Sequence, residues 1–208
     1  MRSVEHERVS VVGITGGIAT GKTAFSQALR KALPAAHFFD ADVAARELTN
    51  DDAKVRALIS LAFGADIYSA AGDLNRARLR TIVFADPEKK LALEQILHPR
   101  IRGQWALEAE RRRNSTEIFL ADIPLLYETG GETLCDRVVV VACSPRVQLE
   151  RLMRRSTLER TDAEQMIAAQ MPLSEKVRRA DHVVWNSGPL ANLTPQAEML
   201  AALWSLGS

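Results

Sequence analysis

The 208-residue chain has little cysteine and little histidine, almost no net charge, and no long apolar run. Each shortage excludes something. Its two cysteines, Cys135 and Cys143, form no C-x-x-C pair, and Cys143 closes an apolar run as a small buried hydrophobe would. The four histidines, His6, His37, His98 and His182, have no metal-ligand spacing among themselves. A net charge of +1 provides no global field for nucleic acid. The polar stretch Met1–Arg8 lacks the apolar segment of a secretory signal, and nothing later is long enough to cross a bilayer. No N-K-x-D or D-x-x-G motif is present, which argues against a GTP-dependent switch, and there is no internal repeat. A cytoplasmic, reduced protein without a structural metal is expected. No nucleic-acid, membrane or protein partner is inferred.

What the chain does have is alternation. Five short apolar, β-branched runs recur at Val9–Ile14, His37–Phe39, Ile118–Leu120, Val138–Val141 and His182–Trp185, with helical patterns between them. Such alternation predicts an α/β fold, a five-stranded parallel sheet covered by helices. The unbroken run Val138-Val139-Val140-Val141 suits a strand buried on both faces. The spacing is uneven. Between the second and third runs lie helical patterns at Asp51–Phe63, Arg76–Phe84 and Pro87–Arg113, the last opening on proline after Asp86. Residues 44–114 therefore read as a helical insertion, and 145–180 as a second, arginine-rich excursion. The core comprises 1–43, 115–144 and 181–208, closing on a helix after Ala191.

The first strand runs into Gly16-Gly17-Ile18-Ala19-Thr20-Gly21-Lys22-Thr23, which fits the P-loop pattern G-x-x-x-x-G-K-[ST], and a helical pattern begins at Ala24. Strand, glycine loop and helix together turn backbone N–H groups and a helix N-terminus toward one point, which accepts polyphosphate. Lys22 supplies a charge for the β/γ-phosphates, and the Thr23 hydroxyl can ligate Mg2+. Asp40-Ala41-Asp42 follows the second strand at the edge where open sheets bind ligands. A carboxylate there can take a proton from an attacking hydroxyl, or it can simply cap a helix; of the two, Asp40 is the more structural. Asp122 ends the third strand, as a magnesium-binding carboxylate does in P-loop enzymes and as many strand ends also do. Arg146, Arg151, Arg154, Arg155 and Arg160 alternate with Glu150, Glu159 and Glu164, which suits either a solvated helix or a lid bearing cations. Asn186-Ser187-Gly188 reads as a turn and also as a loop beside an adenine base.

Taken in order, these elements resemble the dephospho-CoA kinases, P-loop enzymes that phosphorylate the ribose 3′-hydroxyl of dephospho-coenzyme A. The family pattern T-G-G-I-G-S-G-K-S stands here as Thr15 to Thr23, and D-A-D as Asp40 to Asp42. F-G-x-x-I begins at Phe63, G-x-L-x-R-x-x-L at Gly72, and F-x-x-P at Phe84. H-P-x-I begins at His98, and P-L-L-F-E becomes Pro124-Leu125-Leu126-Tyr127-Glu128. Arg151, Arg155, Gln170, Lys176 and Ala180 to Gly188 follow the lid pattern. The resemblance implies a nucleotide-binding core, a helical CoA-binding part and a lid, with ATP and dephospho-CoA as substrates and Mg2+ accompanying ATP. It implies Asp42 as base, with Lys22 and Arg155 on the phosphates. The ATP set is Gly17, Ile18, Ala19, Thr20, Gly21, Lys22, Thr23, Ala24, Arg151, Arg155, Asn186 and Gly188. Acceptor contacts are Asp42, Arg76, His98, Arg102, Leu125 and Glu128, and metal contacts are Thr23 and Asp122. Two departures stand out: Ala19 replaces a glycine, so its backbone is either ordinary or strained, and Tyr127 replaces a phenylalanine and brings a hydroxyl. The competing reading is another small-molecule P-loop kinase, such as a nucleoside monophosphate kinase, which would not call for the large insertion.

Overall fold

A computed structural model of the chain describes residues 9–113, 115 and 117–205. The polar stretch Met1–Arg8 and the end of the expected insertion at Asn114 lie outside the described residues. Five strands, β1 (Val11–Gly16), β2 (His37–Asp40), β3 (Phe119–Asp122), β4 (Arg137–Ala142) and β5 (His182–Trp185), form one sheet in the order β2-β3-β1-β4-β5. β1 pairs in parallel with β3 and β4, and β4 pairs in parallel with β5. β1 extends two residues beyond its apolar run because Gly16 pairs with Val141, where an added Cβ would lie 2.6 Å from the Val141 carbonyl oxygen. The register sets Asp122 opposite Ile14, so the carboxylate at the end of β3 lies beside the start of the glycine loop.

Two helices cover one face of the sheet. α1 (Lys22–Ala32) contributes Phe25 and Leu29, four residues apart. α9 (Leu193–Ser205) contributes Leu193, Ala197, Leu200, Ala201 and Trp204, a helical spacing. They pack on Val12, Ile14, Leu120, Val139, Val141 and Val184, which alternate along their strands. Each such large side chain, fully buried, stabilises the fold by about 1.5–3 kcal/mol. Cys143 is buried and burial raises its pKa; burial likewise pushes the Cys135 thiol up to about 12, so neither is poised as a thiolate.

The chain divides into two compact units, one of residues 1–39 and 108–208, the other of residues 40–107. The sequence reading drew the helical part as 44–114. The helical unit is built from α2 (Ala41–Asp51), α3 (Ala53–Phe63), α4 (Arg76–Ala85) and most of α5 (Pro87–Arg112). Each starts on a side-chain cap: Asp40, Asp52, Asn75 and Asp86 accept backbone N–H groups of the first turn. A cap of this kind stabilises a helix by about 1 kcal/mol. Inside, Leu48, Val55, Ile59, Phe63, Ile67, Leu74 and Leu79 form a separate core. The boundary falls within α5 because its last turn belongs to the sheet unit. There Arg112 binds His37, and Arg113 binds Asp136 and the Leu134 carbonyl.

The second excursion resolves into α6 (Pro145–Ser156), α7 (Arg160–Ala168) and α8 (Leu173–Arg179), all in the sheet unit. Ser144 caps α6, and Thr157, in the left-handed region at φ 49°, ends it. Among the described residues no helix is long and apolar enough to cross a membrane.

Candidate active site

The glycine loop joins β1 to α1 through one tight turn. The Thr20 N–H and hydroxyl both donate to the Gly17 carbonyl, at 3.3 and 2.9 Å. Ala19 sits at φ 60° and Gly21 at φ 96°, both left-handed. Gly21 precedes α1 and offers no side chain, so the first N–H groups of that helix have no cap, unlike those of α2, α3, α4 and α6. Uncapped N–H groups at a helix N-terminus are an anion cradle. Lys22, Thr23 and Ala24 occupy this turn, with Thr23 exposed.

Ala19 settles one open point of the sequence, because its backbone is left-handed. For a residue with a Cβ that conformation costs about 1–2 kcal/mol. Ala19→Gly removes this cost and adds back about 0.5–1 kcal/mol of unfolded-state entropy. The variant is expected to keep its ATP affinity and to match or slightly exceed the parent in a urea melt. A large loss of ATP affinity would mean that the alanine methyl itself shapes the loop.

Three amide side chains hold the loop from outside. Ile18 N–H donates to Gln170 Oε1 at 2.9 Å, Gln148 Nε2 donates to the Ile18 carbonyl at 2.9 Å, and Asn186 Nδ2 donates to the Thr20 carbonyl at 2.8 Å. Asn186 is buried under the loop, and a Cβ at Gly21 would overlap its amide nitrogen, so that glycine is required by space as well as by φ. Arg151 donates to the Asn186 carbonyl at 2.8 Å and approaches that of Gly188 at 3.5 Å. The expected nucleotide contacts Arg151, Asn186 and Gly188 are thus brought together at the loop, where Arg151 and the Asn186 side chain brace the backbone. Arg155 is exposed on the last turn of α6, as is Arg154.

Lys22 Nζ is ion-paired with Asp122 Oδ1, and Ser26 donates to Asp122 Oδ2 at 2.7 Å. Asp122 is buried, so these partners offset the desolvation of its charge. Ser26, one turn after Lys22, was not singled out in the sequence.

Below the loop lies a second buried cation. Lys176 on α8 is wholly enclosed, and its Nζ donates to Glu128 at 2.8 Å, to the Pro124 carbonyl at 3.1 Å and to the Gly16 carbonyl at 3.3 Å. Burial lowers its pKa, the Glu128 carboxylate opposes that shift, and Lys22 adds to it. Glu128 also accepts the Met171 N–H at 3.1 Å. Leu125 lies half-buried in the same turn. Neighbouring Tyr127 is buried with its hydroxyl unpartnered, its pKa pushed up to about 12 by burial, while the Arg179 guanidinium lies 4.3 Å from its ring centroid.

The remaining candidates belong to the helical unit. Asp40, not Asp42, caps α2, through Oδ1 at 2.9 and 3.1 Å from the Asp42 and Val43 N–H groups. Asp42 is exposed in the first turn. Arg76 reaches the opposite end of α2, donating to Thr49 Oγ1 at 3.1 Å and to Asn50 Oδ1 at 2.9 Å. From Asp42 to Asn50 the helix rises about 12 Å, so Asp42 and the group that Arg76 reaches stand at opposite ends of α2. His98 and Arg102 are partly exposed one turn apart on α5, on either side of Pro99, which leaves the Gln95 carbonyl without its helical donor.

A phosphate loop on the central strand of a parallel sheet, with its lysine on the carboxylate of the neighbouring strand, places the chain among the P-loop proteins. The family model described as Dephospho-CoA kinase matches residues 10–192. Dephospho-CoA kinase of Bacillus cereus is 39% identical over 198 residues, covering 94% of this chain and 98% of the relative. That of Anaeromyxobacter dehalogenans is 43% identical over 195 residues, covering 92% and 90%. The solved dephospho-CoA kinase from Campylobacter jejuni superposes with a TM-score of 0.71 at 23% identity, covering 95% of this chain and 98% of that one, which speaks for the fold. The chain belongs to the dephospho-CoA kinase family.

Proposed function

We propose that this chain transfers the γ-phosphoryl group of ATP to the ribose 3′-hydroxyl of dephospho-CoA, giving CoA and ADP. The observation that carries the reading is the uncapped N-terminus of α1 with Lys22 on it, in a chain matched by that family along most of its length. The β- and γ-phosphates take the N–H groups of the loop and become the partners of Lys22, which leaves Asp122 Oδ1 for another cation. Thr23 and Asp122 offer the hard oxygen ligands that Mg2+ prefers, and groups of three or more potential metal-ligating side chains are absent among the described residues. A site that takes most of its ligands from water and phosphate needs no such group. Mg2+ held there by Thr23 and Asp122 would supply positive charge against the negative charge that develops during phosphoryl transfer. Asp42 orients the 3′-hydroxyl and accepts its proton, while Arg155 is the mobile cation for the migrating group. Arg76, His98, Arg102 and Leu125 hold the acceptor.

Purified protein with MgATP should convert dephospho-CoA to a product heavier by one phosphoryl group, with matching ADP release, and should leave nucleoside monophosphates unchanged. ATP turnover on a nucleoside monophosphate without CoA formation would overturn the reading in favour of another small-molecule kinase.

A further inference from the structure

Lys176 has no part in the reaction as drawn, yet it is enclosed at the base of the site. An ammonium has three donors, and Lys176 directs them to Gly16, Pro124 and Glu128. Gly16 is the last residue of β1, so the orientation of its carbonyl fixes how the chain enters the phosphate loop. Pro124 and Glu128 belong to the turn that follows β3, and that turn also receives the Thr15 hydroxyl on the Pro124 carbonyl at 2.9 Å. The same short stretch before α8 grips the loop again through Gln170, whose amide oxygen takes the Ile18 N–H. Glu128 tethers that stretch by accepting the Met171 N–H.

The residues between Gln170 and Lys176 therefore hold the loop at two points, and Glu128 holds both ends of that stretch. A wholly buried lysine paired to a carboxylate that still reaches solvent is an expensive way merely to fill space, since an apolar side chain of similar volume needs no partner for a charge. What a lysine adds is direction, because its three donors aim at three fixed acceptors.

We infer that Lys176 is a positioning residue for the phosphate loop, held in place by Glu128, and that Glu128 serves nucleotide binding through it rather than touching the acceptor. The inference rests on the kinase reading and deepens it. It assigns Glu128 a different place from the acceptor contact that the family resemblance implies.

Three variants test it: Lys176→Met, Glu128→Gln and the double variant. ATP affinity is measured by calorimetry without acceptor, and KM for both substrates by steady-state assay. Lys176→Met should weaken ATP binding by about tenfold or more while KM for dephospho-CoA stays within about twofold, since a charge-assisted hydrogen bond of this class is lost. Glu128→Gln, isosteric and still able to accept the Met171 N–H, should shift the same parameter in the same direction. The double variant should stay impaired, because restoring charge balance does not restore the aim at Gly16. A raised KM for dephospho-CoA with unchanged ATP affinity in Glu128→Gln would return that residue to the acceptor and defeat the inference. Full recovery of ATP affinity in the double variant would defeat it too, by showing that the two charges do no more than neutralise each other. If Lys176→Met fails to fold, Glu128→Gln alone decides. A parent protein that binds ATP but makes no CoA would defeat the kinase reading and leave the affinity comparison standing.

Discussion

Replacing Asp42 by asparagine should lower kcat by about 10²–10⁴, the usual contribution of a positioned general base. The structure makes this a clean experiment. The helix cap is supplied by Asp40, whose carboxylate accepts both first-turn N–H groups, so removing the Asp42 charge leaves α2 capped. Asparagine keeps the shape of the side chain, and the exposed position has no packing to lose. The melting temperature should therefore stay that of the parent. ATP affinity should hardly move, because Asp42 is assigned to the acceptor hydroxyl and not to the nucleotide. Collapse of nucleotide affinity with turnover preserved would make Asp42 a metal or nucleotide ligand instead.

The second large effect is expected at Arg155. Consecutive helical residues point about 100° apart, so Arg154 and Arg155 cannot serve one phosphate equally. Arg151 lies four residues before Arg155 on the same face of α6, and its guanidinium is directed at the Asn186 and Gly188 carbonyls beside the loop. The face of α6 turned toward the Asn186–Gly188 segment is thus the one that carries Arg155. Arg155→Ala should cut kcat far more than Arg154→Ala; a trans-acting arginine finger contributes about 10³–10⁵, an upper guide for a residue supplied in cis. Arg155→Lys should recover only part, since lysine lacks the planar fork. Steady-state kinetics of the variants side by side decide the matter, and an equal or larger effect at Arg154 would show that the other face is the working one.

Strands were legible wherever apolar runs carried them. His182–Trp185 coincides with β5, and the tetravaline run lies within β4. Asp122 was legible as the end of its strand, whereas Gly16 joins β1 only through register with Val141, which no local pattern encodes. The break between α2 and α3 turns on a single capping aspartate, Asp52, in the run Asp51-Asp52, and the sequence permits either to cap. In the site, the phosphate loop was legible because one contiguous segment forms it. Its braces were not, since Gln148 and Asn186 act from far along the chain, and a glutamine on a charged helix gives no local sign of what it holds. Lys176 stands in the lid pattern of the family, but that pattern gives it no role, and only its burial shows that it faces inward. The Tyr127 hydroxyl would need a partner only if buried; the structure buries it without one, so the phenolic group bears that cost alone.

The phosphate loop is written near the start of the chain, but the side chains that hold its backbone, Gln148, Gln170, Lys176 and Asn186, all come from the last third. During synthesis the ribosome delivers the loop first and its four supports some 130 to 170 residues later, in that order, by sequence separations of 130, 152, 160 and 166. A nascent chain stopped short of Gln148 has the whole phosphate-loop motif and none of the four side chains that hold it. The shape of the loop is thereby tied to contacts of long sequence separation, which form more slowly than local ones. A newly made molecule should therefore set the shape of its phosphate loop only after residues as far along as Asn186 have joined it.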